Sequence, residues 1–130
     1  GFGLRSGAVA VSTYCCNQNV IVVGASDVEC AVAANRLADL GGGFVVVDDE
    51  KVIAEVPLRH GGTVSTEPFE ILLPQLKTAK EAVASLGCPI ESPFMILSFV
   101  GLAAVPELGL TELGLIDVAT QEFVPVLVSA

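Results

Sequence analysis

Residues 19–58 read NVIVVGASDVECAVAANRLADLGGGFVVVDDEKVIAEVPL, and their pattern decides the fold. The opening residues 19–23, continuously apolar from Val20 and ending at Gly24, have the pattern of a buried strand. A helix start follows at once. Ser26 and Glu29 have the S-x-x-E spacing of a capping box, in which each side chain satisfies a backbone N–H that the first turn leaves unpaired. Such a cap stabilises a helix by roughly 1 kcal/mol. Val28, Ala31, Val32, Leu37 and Leu40 fall on one face at helical spacing, with Asp27, Arg36 and Asp39 left for water. Gly41, Gly42 and Gly43 stop the helix, because glycine accepts the left-handed backbone that a helix C-terminus often needs. Residues 44–47 then read as a buried strand, Asp48, Asp49 and Glu50 as a polar turn, and residues 51–56 as the returning strand, closed by Pro57. The unit is β-α-β followed by a hairpin.

Outward from this centre, residues 8–13 alternate and are β-prone, so a further strand precedes the unit. Gly61 and Gly62 mark a loop, and Ser65 or Thr66 can cap a second helix with Pro68 in its first turn. Leu72, Leu76, Ala79, Val83 and Leu86 give that helix a narrow apolar stripe that Gly87 ends. Pro74 lies inside the stripe and predicts a kink or a late start. Residues 94–100 read as another buried strand, although periodicity alone does not exclude a helix. Residues 108–116 read as a turn-rich loop. Residues 122–128 read as a last strand, which Pro125 assigns to an edge or a bulge. The expected fold is α+β: a single domain with a mixed sheet of roughly six strands, packed with two or more helices.

Composition limits what such a domain can do. The chain has 130 residues, 52% of them hydrophobic and 16% charged, with a mean hydropathy of +0.72. Either both faces of the sheet are covered or some apolar surface meets a partner. The longest apolar runs, residues 94–105 and 42–47, are too short to span a bilayer. No basic segment followed by an apolar run marks a signal peptide. The net charge of −9 repels polyanions, which argues against nucleic acid and acidic membranes as partners. The chain opens at Gly1 inside GFGLRSG and without a methionine, which reads as a cut through a longer polypeptide.

The candidate chemical groups are few. VIVVGAS ahead of a helix has the outline of a phosphate-binding turn, but G-x-G-x-x-G and the Walker lysine are both absent. Asp27 and Glu29 already occupy the positive end of the helix, so an ordinary strand-to-helix turn is the simpler reading. Cys15, Cys16, Asn17, Gln18 and Asn19 gather thiols beside amides, and Cys15, Cys16, Gln18 and Asn19 are the candidate substrate-binding residues. A nucleophilic thiol needs a base within reach, yet the single histidine, His60, lies in a separate loop. A polar turn is therefore the plainer reading, with reduced thiols in a cytosolic protein. The four cysteines have no CxxC spacing, and adjacent Cys15 and Cys16 would bond to each other only under strain. Asp48, Asp49 and Glu50 read as a solvated turn rather than a cation site. No catalytic residue and no metal ligand is expected in this chain, because a hydrolytic metal centre needs more imidazoles than one.

Several segments in the same order resemble the C-terminal domain of bacterial adenine deaminases: GFGLRSGAVA at residues 1–10, NVIVVG at 19–24, residues 34–58, PFMILSF at 93–99 and EFVPVLV at 122–128. The resemblance covers essentially the whole chain. It implies a non-catalytic domain, spanning residues 1–130, of a larger hydrolase of purine metabolism. In that family an amidohydrolase-type barrel holds divalent metal (manganese, iron or zinc), and metal-activated water converts adenine to hypoxanthine and ammonia. The family's metal ligands lie in the barrel, so none transfers to a residue here. The resemblance further implies packing against that barrel, a homo-oligomer and a cytoplasmic location. In the family the residues ahead of NVIVVG read His-Asp-Ser-His, and here they are Cys15, Cys16, Asn17 and Gln18. If that segment reaches the barrel's active site, substrate contacts differ in this protein. Pro74 also departs from the family, which usually has a good helix former there. Two other readings are a free-standing small-molecule-binding or regulatory module and a redox pair at Cys15 and Cys16.

Overall fold

Strand β1 (Ala8–Val11) reads Ala-Val-Ala-Val, and all four residues are fully buried. Successive side chains of a strand point to opposite faces, so each face of β1 is lined by a single residue type. Ala8 and Ala10 join Val45 and Val47 under helix α1 (Asp27–Leu40), which contributes Ala33, Leu37 and Leu40. Val9 and Val11 join Val46, Val56 and Leu58 on the opposite face. There they meet Ala79 and Val83 of α2 (Phe69–Ser85) and Phe94 and Leu97 of α3 (Pro93–Val100). The result is three layers, with helices on both faces of the sheet. In a computed structural model of the chain, the residues described are 1–13, 19–102, 104, 107–111 and 113–127.

The sheet order is β2-β1-β3-β4, with β2 at Ile21–Gly24, β3 at Gly43–Asp48 and β4 at Lys51–Pro57. Every neighbouring pair is antiparallel. The expected β-α-β unit is present as β2-α1-β3, with β1 inserted between its two strands. A second sheet, β5 (Leu108–Thr111), β6 (Gly114–Asp117) and β7 (Glu122–Val124), is also antiparallel. The α+β class stands, but the strands divide into two antiparallel sheets instead of forming one mixed sheet. Among the described residues no helix is long and apolar enough to cross a membrane.

Local expectations fared unevenly, each for a physical reason. Residues 93–100 are helical, not extended: Pro93 sits at the first helical position, where its fixed φ favours the helix. Where residues 108–116 read as a loop, β5 (Leu108–Thr111) and β6 (Gly114–Asp117) pair as an antiparallel hairpin. Its turn is held by the Thr111 hydroxyl, which donates to the Gly114 carbonyl (2.9 Å) and accepts from the Leu113 N–H (3.2 Å). The last strand ends at Val124, one residue before Pro125, and lies at the outer edge of its sheet. Helix α2 begins at Phe69 and carries Pro74 in its second turn, so no late start occurs. Neither Ser65 nor Thr66 caps it: the N-cap position is Pro68, and the Ser65 hydroxyl instead accepts the N–H of Glu67 (3.0 Å).

The α1 cap is half of the expected box. The Ser26 hydroxyl accepts the Glu29 N–H (3.3 Å) and donates to the Glu29 carboxylate (2.9 Å). That carboxylate also accepts the Asp49 N–H (3.2 Å), which ties the helix start to the tip of the β3–β4 hairpin. Val28 is 55% exposed, and the buried face runs through Ala33, Leu37 and Leu40. Arg36 does not point to open water. Its guanidinium donates two hydrogen bonds of 2.8 Å to the Glu55 carboxylate on β4.

That bidentate bond holds the Glu55 carboxyl below its ordinary value of 4.5, against the opposing pull of partial burial. A lowered folded-state value means that the bridge contributes fully above the ordinary range and is lost as pH falls through the lower one. Thermal unfolding of the wild type and of Glu55→Gln, followed from neutral pH to about pH 3, should show a wild-type advantage that shrinks with acidification. An advantage that stays constant over that range would exclude the linkage.

Candidate functional site

A cleft of about 470 Å³ opens beside the outer edge of β2. One wall is Asn19, Val20, Ile21 and Val22, and the other is Val100 and Gly101 at the end of α3 with Leu110 and Thr111 of β5. None of these lining residues is charged. Asn19 and Thr111 supply the polar side chains, and the Thr111 hydroxyl is already engaged in its own turn. This lining can hold an apolar group by contact, and among the described residues it offers no acid, base or nucleophile for chemistry.

Of the sequence-predicted candidates, Asn19 lies in this cleft. Cys15, Cys16 and Gln18 lie outside the described residues, as does Asn17. His60 is exposed and held in a tight turn, its backbone paired with Val64. Asp49 and Glu50 take the left-handed backbone at the hairpin tip (φ 49° and 59°), and Lys51 pairs with Asp49 at 3.0 Å. This is the solvated turn that the sequence predicts. Among the described residues no group of three or more His, Cys, Asp or Glu side chains is placed to hold a metal ion.

The two described cysteines are free. Cys30 lies against Gly24, where an added Cβ would approach its Sγ to 2.5 Å. Burial pushes the Cys30 thiol up, and the nearby carboxylates of Asp27 and Glu29 push it further the same way. A thiol shifted in that direction is a poor nucleophile near neutral pH.

A second, smaller cleft of about 270 Å³ lies at a junction that sequence reading missed. There the Ser12 hydroxyl donates to the Gly62 carbonyl (2.5 Å) and accepts the Gly43 N–H (2.7 Å). Gly42 (φ 108°) packs so closely that an added Cβ would clash with the Gly62 Cα. One hydroxyl thus joins the end of β1, the start of β3 and the 61–62 loop. The double glycines were the only sequence signal, and they do not reveal their partner.

Residues 1–122 match the family model described as the adenine deaminase C-terminal domain. The chain belongs to this family. It is 48% identical over 124 residues to the adenine deaminase of Brucella melitensis biotype 1, covering 95% of this chain and 21% of that protein. It is 42% identical over 125 residues to the adenine deaminase of Dehalococcoides mccartyi, covering 96% of this chain and 22% of that protein. It is also 42% identical over 118 residues to adenine deaminase 1 of Agrobacterium fabrum, covering 91% and 20% respectively. The chain therefore spans about a fifth of the length of the curated relatives it matches.

Two measurements check the local chemistry of this family member. Ser12→Ala strands a half-buried donor and acceptor, so urea unfolding should show a loss of about 1–3 kcal/mol; an unchanged midpoint would mean that water replaces the hydroxyl. Cys30 should react with a thiol reagent more slowly at pH 8 than an exposed peptide cysteine. Equal rates would contradict the burial seen here.

Proposed function

We propose that this chain is the C-terminal, non-catalytic domain of an adenine deaminase-type enzyme. Residues 1–130 form one domain, and the parent hydrolyses adenine to hypoxanthine and ammonia in a barrel domain elsewhere in the same polypeptide. The observation that carries this reading is the match of 95% of the chain to one fifth of a protein named adenine deaminase. The described residues do not fit a hydrolytic metal pair, since no three-ligand group is present among them. Divalent manganese, iron or zinc belongs to the barrel, and no step of the reaction passes through this domain's own side chains. Its contribution is structural: it covers apolar surface of the barrel and supports a cytoplasmic homo-oligomer without nucleic-acid or membrane partners. Asn19, with Cys15, Cys16 and Gln18 ahead of it, is the segment through which the domain could reach substrate.

The cleft beside β2 favours a second reading, a small-molecule-binding or regulatory module with the same fold, since an apolar cleft of about 470 Å³ suits a small ligand. The two readings separate by assay. Residues 1–130 supplied with manganese, iron or zinc should produce no hypoxanthine from adenine, whereas the polypeptide extended through its upstream coding sequence should. Metal-dependent hypoxanthine formation by residues 1–130 alone would overturn the non-catalytic assignment. An extended polypeptide without a barrel would favour the binding module.

A further inference from the structure

Helix α3 is apolar apart from Ser98. It reads PFMILSFV, without a charged residue, and a helix of this kind normally has both faces covered. Its inner face is covered: Phe94 and Leu97 are buried, and the Phe94 ring stacks on Phe44 with centroids 4.3 Å apart. Its outer face is bare. Ser98 gives that face no free hydrogen to offer water, because its hydroxyl donates back to the Met95 carbonyl (2.6 Å). The bare face continues into the β2 cleft through Val100, where Val20 and Leu110 flank it. Ile96, Val100, Val20 and Leu110 are between 42% and 60% exposed.

We infer that this surface, the outer face of α3 with Val20 and Leu110, is where the remainder of the parent polypeptide docks. The inference rests on the multidomain reading above and specifies which face serves it. Two observations favour a tethered domain over a second copy of this chain. The relatives devote about four fifths of their length to other sequence, so each of them carries covalently attached polypeptide that can serve as the occupant. A second copy would bring another −9 of net charge against this one. A tether supplies a local concentration in the millimolar range, so a tethered domain can dock without any charged contact on this face.

The test is hydrogen exchange on residues 1–130 alone and on the polypeptide extended upstream. Peptides from α3 and β2 should exchange at least about tenfold more slowly in the extended protein. Peptides from the start of α2, where Phe69 and Leu73 are also exposed, should not change. Ile96→Glu with Val100→Glu should abolish the added protection while residues 1–130 stay folded, since both side chains are 42–50% exposed. If that pair also unfolds the isolated chain, Leu110→Lys serves as the second variant. Equal exchange in both proteins overturns the inference. So does protection of the isolated chain that rises with its concentration, which would identify a second copy as the occupant. Adenine deamination is read on the same extended protein. Protection of α3 without hypoxanthine would keep the docking face and remove the activity assignment, and hypoxanthine without protection would do the reverse.

Discussion

The fold depends on a four-residue strand with no access to water. β1 is buried on both faces and paired on both edges, so each of its neighbours is placed by it. Its alternation of Ala and Val sets unequal spacing on the two sides. The alanine side leaves room for α1 to approach closely, and the valine side meets the larger Phe94, Leu97 and Leu86 of the opposite layer. Each fully buried valine contributes on the order of 1.5–3 kcal/mol relative to exposure. A larger residue at Ala8 or Ala10 would have to displace α1 as a body, because a packed interior accommodates little extra volume.

The second constraint is steric and lies where the layers meet. Gly43 adopts φ 134°, and an added Cβ there would collide with the Val56 carbonyl of the neighbouring strand. The approach of Gly42 to Gly62 is equally close, and Ser12 bonds across it. Strand pairing and loop placement are therefore fixed by the same few atoms. That junction also anchors β1 at the end nearer the β2 cleft, since Val11 pairs with Ile21 and Phe44. A candidate site built on an edge strand gains a defined wall only because the strand beside it is held in this way.

What could be read from the sequence follows the range of the interactions involved. Helix α1 was legible because its start and stop are local: Ser26 caps a turn three residues long, and Gly41 takes the left-handed backbone (φ 76°) just after Leu40. The α2 stripe was legible for the same reason, with Leu72, Leu76, Ala79, Val83 and Leu86 all on the core side. Helix α3 was not, because a short segment whose one polar side chain is Ser98 carries no period to distinguish helix from strand. The β5–β6 hairpin was hidden by Leu-Gly-Leu, which reads as turn chemistry until cross-strand pairing is known. Non-local pairs left no trace at all. Arg36 and Glu55 lie 19 residues apart, and Ser12 and Gly62 lie 50 apart. Asn19 was marked by its polar neighbours, but the cleft wall opposite it comes from β5 and α3, which periodicity had misread.

The high hydropathy of the chain has two physical sources, and they bear differently on function. Most of it is accounted for inside the domain, since a sheet with helices on both faces needs apolar residues at consecutive strand positions. The outer face of α3 is a separate case, because Met95, Ile96 and Val100 remain 42–56% exposed. Moving Ile96 or Val100 inward would bring Phe94 and Leu97 out, so rotating the helix cannot relieve the exposure. The Phe94–Phe44 stack further opposes such a rotation by joining α3 to the sheet. The exposed face is thus a consequence of how the core is packed. A domain of this kind would act on a reaction mechanically, by presenting a rigid apolar surface against which a neighbouring domain settles into one arrangement.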